Sequence, residues 1–278
     1  MSQATGSSIN SPISSAVRIW SIALNTFREA VRNRVMAVLF FFAVGLMAFS
    51  LVLGELSLYQ EERIIKDLGL AGVSIFSVII ALFLGVNLLS KELDKKTVYA
   101  IIPKPIHRWE FLIGKYLGIV ITMTVLVAVM SLVLGIFVLS RDGHLGLVML
   151  RAEILLLLEV LLLCAVALFF ASFSSPYLSA MLTGALWVIG RNSAELAAFA
   201  SRDQTPGPVA SMLELVLGLF PDFRLFYVSG ANLGDTVVSV HQSFVGWGYV
   251  LNAAGYAAGY SGVCLALAVF LFARRDFT

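Results

Sequence analysis

Long stretches without a single charged side chain constrain this chain more than any other feature. Its 278 residues include only 13% charged ones, against 59% hydrophobic, and those charges are gathered into clusters between the apolar runs. An ordinary soluble domain carries about 25% charged residues spread over its surface. Clustered charge between apolar runs of roughly 20 residues is the layout that lipid demands of a chain that crosses it. Since no water reaches the bilayer core, backbone polar groups there must be satisfied internally, and helices are the default for such runs.

Six stretches qualify as spanning helices, at about 35–54, 69–89, 113–139, 152–171, 177–197 and 246–273. The expected fold is an all-α membrane protein of six transmembrane helices. Ahead of them, residues 1–15 are Ser-rich and carry no charged side chain, which reads as a disordered tail. No small-residue cleavage site follows the first apolar run, so that run is expected to stay as an anchor and not to be removed as a signal peptide. Between tail and first span, residues 16–34 form an amphipathic pattern. Val17, Trp20, Leu24, Phe27 and Val31 recur at three- and four-residue steps, with Arg18, Asn25, Arg28 and Arg32 between them. Two readings stand: a helix lying in the membrane interface, or the wet start of the first span.

Basic residues orient the chain. With the N-terminus inside, twelve of the 19 Lys and Arg residues fall on inner segments, including the dense group Lys91, Lys95, Lys96, Lys104, Arg108 and Lys115. Both termini are therefore expected in the cytoplasm. The stretch from about 198 to 245 becomes the one large external region. Within it, Val209, Met212, Leu213, Val216, Leu217 and Phe220 make one apolar face after the break at Thr205-Pro206-Gly207-Pro208. Ser211 and Glu214 have capping-box spacing. Thirteen residues are too few to span, which predicts a re-entrant or interfacial helix between spans five and six.

Catalytic chemistry finds little to work with. His107, His144 and His241 sit in three different connections, none with a second His one helical turn away, so haem and helical metal sites are not expected. Cys164 and Cys264 lie in apolar runs and read as buried small hydrophobes. Asp142-Gly143-His144 reads as a turn. No Walker A, Gly-x-Ser-x-Gly or zinc-protease motif occurs, and nothing points to nucleic acid. Ionisable residues inside the spans are few: Glu153, Glu159, Arg191 and Glu195. Such residues carry a functional hypothesis by default. Glu153, beside Arg151, is expected at the outer interface. Glu159 lies roughly 12 Å below the outer end of its helix, and Arg191 roughly 9 Å below the outer surface of a 30 Å core. Helices joined by the turn at Ser174-Ser175-Pro176 should be antiparallel neighbours. Glu159 and Arg191 are therefore expected either to pair or to share a polar cavity; alternatively, Arg191 pairs with Glu195 one turn on and snorkels outward.

The most specific segment is the connection at 90–113, expected in the cytoplasm. A charged helix from about 91 to 102 is stopped by Pro103 and Pro105, and a second helix starts at His107. This Pro-broken knob suits the docking of another protein, and it also suits a basic loop that merely follows the charge rule. Its residues Glu92, Thr97, Pro103 and Pro105, Arg108, Trp109 or Phe111, and Gly114-Lys115 resemble the cytoplasmic loop of ABC-2-type permeases, the transmembrane subunits of ATP-binding-cassette transporters. Lys96 departs from that pattern, where a Gly is common. Asn25–Arg34 is similar to the family's interfacial N-terminal helix, and Leu271–Asp276 to its exit from span six.

The resemblance covers nearly the whole chain and implies one transmembrane domain over 16–278 in a cell membrane, the inner one in a bacterium. It implies a dimer with itself or a sister permease, a separate ATPase dimer that binds the ATP and Mg, and no cofactor in this chain. It further implies export by alternating access, with spans one, two and five at the dimer interface. In that scheme Glu92, Thr97, Pro103, Pro105, Arg108, Trp109 and Lys115 serve coupling to the ATPase, and none is catalytic. Two other readings stay open: a non-transporting membrane anchor for an ATPase-containing complex, and a membrane-embedded enzyme. Apolar spans lean toward amphiphilic cargo without identifying it.

Overall fold

The structure, a computed structural model, describes residues 15–56, 61–94, 107–141, 146–201, 207–227, 232–233, 236–237 and 245–274. Among them are nine helices: α1 (Ser15–Val31), α2 (Arg34–Glu55), α3 (Glu61–Asp94), α4 (Arg108–Leu139), α5 (Leu147–Phe173), α6 (Pro176–Arg191), α7 (Ser193–Ala200), α8 (Gly207–Leu219) and α9 (Trp247–Arg274). Besides these there is a single 3-10 turn at Phe223–Leu225, and a two-residue antiparallel bridge pairs Asn232–Leu233 with Thr236–Val237. The all-helical expectation holds apart from that bridge.

Among the described residues, five helices are long and apolar enough to cross a membrane: α2, the Glu61–Asn87 part of α3, α4, α5 and the Trp247–Phe272 part of α9. The expected fifth span, 177–197, is not one helix. It divides at Asn192, whose φ of −103° and ψ of 26° leave the helical region, into the 16-residue α6 and the short α7. The break falls in the polar stretch Arg191-Asn192-Ser193-Ala194-Glu195, after which Leu196, Ala197 and Ala198 resume the apolar run.

α5 occupies the centre. It packs against α9, α3, α4 and α6, and an unbroken buried run from Leu162 to Leu168 shows that it is covered on all sides over that stretch. By contrast α2 buries only Met36, Ala43, Met47, Ser50 and Gly54, at turn-by-turn spacing, and leaves Phe41, Phe42, Phe49 and Val52 exposed. A helix that presents large apolar residues outward while packing on one stripe is at home in lipid or against another chain. α3 is 34 residues long, about 51 Å at 1.5 Å per residue, and so outruns a bilayer core at one end or both.

Local chemistry sets the junctions. Asn33 caps α2 by accepting from the Val35 amide, 3.0 Å away. α1 is thereby a separate helix and not the wet start of the first span. Ser15, expected in the tail, already belongs to α1. Ser174 ends α5, and Pro176 opens α6, where its missing N–H costs nothing. α8 begins at Gly207, not at Ser211, so Ser211 and Glu214 lie inside the helix and form no capping box at its start. The earlier start follows from Pro208, which presets the first helical turn. At the opposite end of the spans, Arg141 ties three helices together. It pairs with Glu55 at the end of α2, and its Nη1 lies 3.1 Å from Glu61 Oε1 at the start of α3.

Candidate functional site

Two polar constellations stand out, one at each end of the bundle. The first joins α1, the start of α4 and the end of α9. Val17, Trp20 and Val31 of α1 are exposed and Leu24 and Phe27 half-buried, while the buried sector is Ala23, Thr26 and Ala30. The large apolar stripe read from the sequence therefore lies away from the packing face, which small residues make. That face lies against Gly114 and Gly118 of α4. A Cβ at Gly118 would sit 2.5 Å from Thr26 Cβ and 2.7 Å from the Ala23 carbonyl oxygen, and one at Gly114 only 2.8 Å from Ile22 Cβ. Only glycine admits this approach.

Charge fixes the same contact. Arg18 grips Glu110 with a two-pronged bond, Nε to Oε2 at 2.9 Å and Nη2 to Oε1 at 2.8 Å. Glu110 is fully buried beneath it. This fork geometry is the strongest form of a guanidinium–carboxylate contact, and the hydrogen bond to Glu110 pushes Arg18 above the usual arginine range. Glu110 also receives a long bond, 3.4 Å, from the His107 amide at the start of α4. One turn further, Lys115 is 1% exposed, with Nζ 3.7 Å from Glu29 of α1 and 5.9 Å from the Phe111 ring centroid. Arg108 Nη1 donates to the Phe272 carbonyl of α9 at 3.2 Å, and Phe111 stacks on Phe272 with centroids 6.3 Å apart.

The residues expected to serve coupling are thus distributed. Arg108 and Lys115 bind neighbouring helices of this chain, while Trp109 is 40% exposed. Glu92 falls on the last turn of α3, its side chain outside the described residues. Thr97, Pro103 and Pro105 also lie outside them, as does the Asp142–His144 turn. Arg18, Glu29 and Glu110 were not singled out from sequence. Their only signal was a charged residue at each end of an interfacial contact that sequence periodicity cannot pair.

The second constellation is buried between α3, α5 and α6. Glu159 of α5, 0% exposed, lies 2.9 Å from Arg191 Nη1 at the end of α6, whose side chain is 21% exposed. The same Glu159 oxygen accepts from Trp187 Nε1 at 2.8 Å. Arg191 Nη1 also reaches Ser74 Oγ on α3 at 3.3 Å. Its guanidinium lies over the Tyr227 ring at 3.9 Å and beside the Trp187 ring at 5.3 Å. Glu195, the other partner considered, stands on α7 beyond the Asn192 break and is exposed. Glu153 lies further out on α5, but Arg151 is turned from it: its Nη1 donates to the Val245 carbonyl at 2.6 Å.

Gly190 lets the external segment reach the buried pair. A Cβ there would meet the Pro221 carbonyl oxygen at 2.4 Å, so the 221–227 segment docks directly on the end of α6. Asp222 helps hold it, accepting from the Ser193 hydroxyl at 2.8 Å, while its amide donates to Tyr256 Oη at 3.0 Å. Tyr227 and Ser74 escaped sequence reading because nothing local marks them. Trp187 had a signal, since it sits one turn before Arg191 on the same face.

Nothing in either constellation assembles the groups of a hydrolase or a redox centre. Among the described residues no group of three or more His, Cys, Asp or Glu is placed to hold a metal ion, and Cys164 and Cys264 are free and buried. The family model described as ABC-2 family transporter protein matches residues 20–277. No curated protein matches the chain.

Proposed function

Because the chain belongs to the ABC-2 family of transporter membrane proteins, we propose that it forms the membrane pathway of an ATP-driven exporter. ATP hydrolysis is carried by a separate ATPase that docks at the 90–113 connection. The single observation that supports this reading most is the junction of α1, α4 and α9, which gathers around the start of α4, next to that connection. A docked partner that pushes the connection moves the start of α4. The Arg18–Glu110 fork and the glycine contact oblige α1 to follow.

In this scheme Glu92, Thr97, Pro103, Pro105 and Trp109 offer the docking surface. Arg108 and Lys115 act inside the chain, holding α4 to α9 and α1. The divided fifth segment, α6 with α7, completes six membrane segments, and α8 with the 221–227 turn forms an external cap. Both termini then face the cytoplasm, in keeping with the excess of basic residues on those segments. The exposed apolar stripe of α2 and the outward residues Tyr177 and Met181 of α6 offer a face for a second permease chain, and alternating access runs along that face. Glu159 and Arg191 fix the outer end of the pathway.

The test is to purify the tagged chain in mild detergent from its native host and identify what accompanies it by mass spectrometry. A stoichiometric soluble chain with a Walker A motif, lost when residues 91–106 are replaced, is the expected result. Repeated recovery of the chain alone under gentle conditions overturns the reading. An ATPase that accompanies the chain but whose turnover responds to no transported molecule favours the anchor reading instead.

A further inference from the structure

A groove of about 690 Å³ runs between α4 and α5 and opens sideways, lined by Thr124, Ser131 and Leu132 on one wall and Leu150, Glu153 and Leu157 on the other. Its rims are apolar and uncovered, with Leu132 63% and Leu147 64% exposed. The volume falls in the range of ligand-binding clefts, roughly 300–1,000 Å³. Two polar groups face it. The buried Ser131 hydroxyl lies against the Glu153 carboxyl, which forms no ion pair among the described residues. Arg151, the nearest cation in sequence, is engaged by the Val245 carbonyl and lies over the Trp247 ring at 5.8 Å.

Arg and Trp together mark the level of lipid headgroups. Glu153 is two residues further along α5 than Arg151, about 3 Å deeper. A carboxyl facing an apolar groove at that level either takes up a proton or is met by a cation. An ammonium group with N–H donors satisfies both Glu153 and Ser131, whereas a quaternary ammonium has no N–H to donate. The sideways opening admits molecules that arrive within the bilayer.

We propose that the α4–α5 groove binds a phospholipid with a primary ammonium headgroup, its ammonium on Glu153 and Ser131 and an acyl chain along Leu157, Thr124 and Leu132. The site is independent of the transport reading and stands or falls without it.

The test is native mass spectrometry of the full chain, purified with whatever subunits accompany it and stripped of lipid. It is titrated with phosphatidylethanolamine, phosphatidylcholine and phosphatidylglycerol of identical acyl chains. The ethanolamine lipid should be retained about tenfold better than the other two, the size of one charge-assisted hydrogen bond. E153Q should bring the three to parity, S131V should weaken the preference, and A128W, which fills the groove, should lower retention of all three. Gel-filtration profiles show which variants remain folded, and S131V and A128W carry the test if E153Q does not. Equal retention by the unmodified chain, or a preference unchanged in the folded variants, overturns the proposal. So does an efficient L132C disulfide between two copies in native membranes, because a second chain then covers the groove.

Discussion

Replacing Arg191 with Met removes the cation that, among the described residues, meets Glu159. Glu159 is fully buried, keeps only the Trp187 bond at 2.8 Å, and has a second oxygen, Oε2, with no hydrogen-bond partner among the described residues. Breaking a buried ion pair by deleting one partner costs about 3–5 kcal/mol. Because Arg191 is 21% exposed, the lower end applies, about 3 kcal/mol, which is roughly a hundredfold in the folded population. Glu159→Gln should be milder, about 1–2 kcal/mol, since the Gln carbonyl still accepts from both Trp187 and Arg191 and only the charge assistance is lost. The double variant E159Q/R191M should lie closer to E159Q than to R191M, because no uncompensated charge remains.

A charge swap, E159R/R191E, is not expected to rescue either single variant. Arg191 lies over the Tyr227 ring at 3.9 Å, and a carboxylate in that place would face the negative side of the ring. The assay is reversible unfolding of the purified chain in mixed detergent micelles, followed by tryptophan fluorescence. A swap that restores wild-type stability would refute this account of the aromatic cradle. Equal losses in R191M and E159Q would refute the assignment of the cost to a stranded Glu159.

Three further outcomes are expected. Gly118→Leu forces α1 from α4, since even a Cβ would meet Thr26 at 2.5 Å; it should destabilise by at least about 1–3 kcal/mol and raise protease cleavage between α1 and α2. Arg18→Ala strands the buried Glu110 carboxyl, and in the proposed scheme it abolishes cargo-stimulated ATP turnover while the chain still inserts; Arg18→Lys should recover only part, because an ammonium cannot reproduce the fork. After Cys164 and Cys264 are replaced by Ala, single cysteines at Ser7 and Thr278 should react with membrane-impermeant maleimide only in inverted vesicles, and labelling of either from the outside overturns the proposed orientation.

How much was legible in the sequence depends on the range of the interaction. Apolar runs are local, so the bodies of α2, α4, α5 and α9 follow directly from length and hydropathy. The break at Asn192 does not, because it arises where the 221–227 segment packs on Gly190, more than thirty residues away in sequence. The Glu159–Arg191 juxtaposition was accessible because one short turn links α5 to α6, and helix rise then fixes relative depth. Arg18 and Glu110 are 92 residues apart, and no helical arithmetic connects them. The amphipathic pattern of α1 was visible but its protein-facing side was not. In water a helix turns its large apolar residues inward, whereas beside lipid they turn outward and small residues make the close contact.

That inversion bears on where this bundle is able to move. α5 is covered on all sides from Leu162 to Leu168, and displacing it would open the core there. α1 is held at one end by the Arg18 fork and two glycines, and α6 at the other by Arg191 and Gly190. Of the five long apolar helices, α2 buries the smallest share of its residues, five positions in 22. A rigid α1–α4–α9 junction moving against a fixed outer clamp therefore concentrates displacement in α2. In the proposed transporter α2 is the segment that opens and closes the pathway. A bundle locked by a disulfide between α2 and α3 should accordingly keep its ATPase partner bound while losing transport.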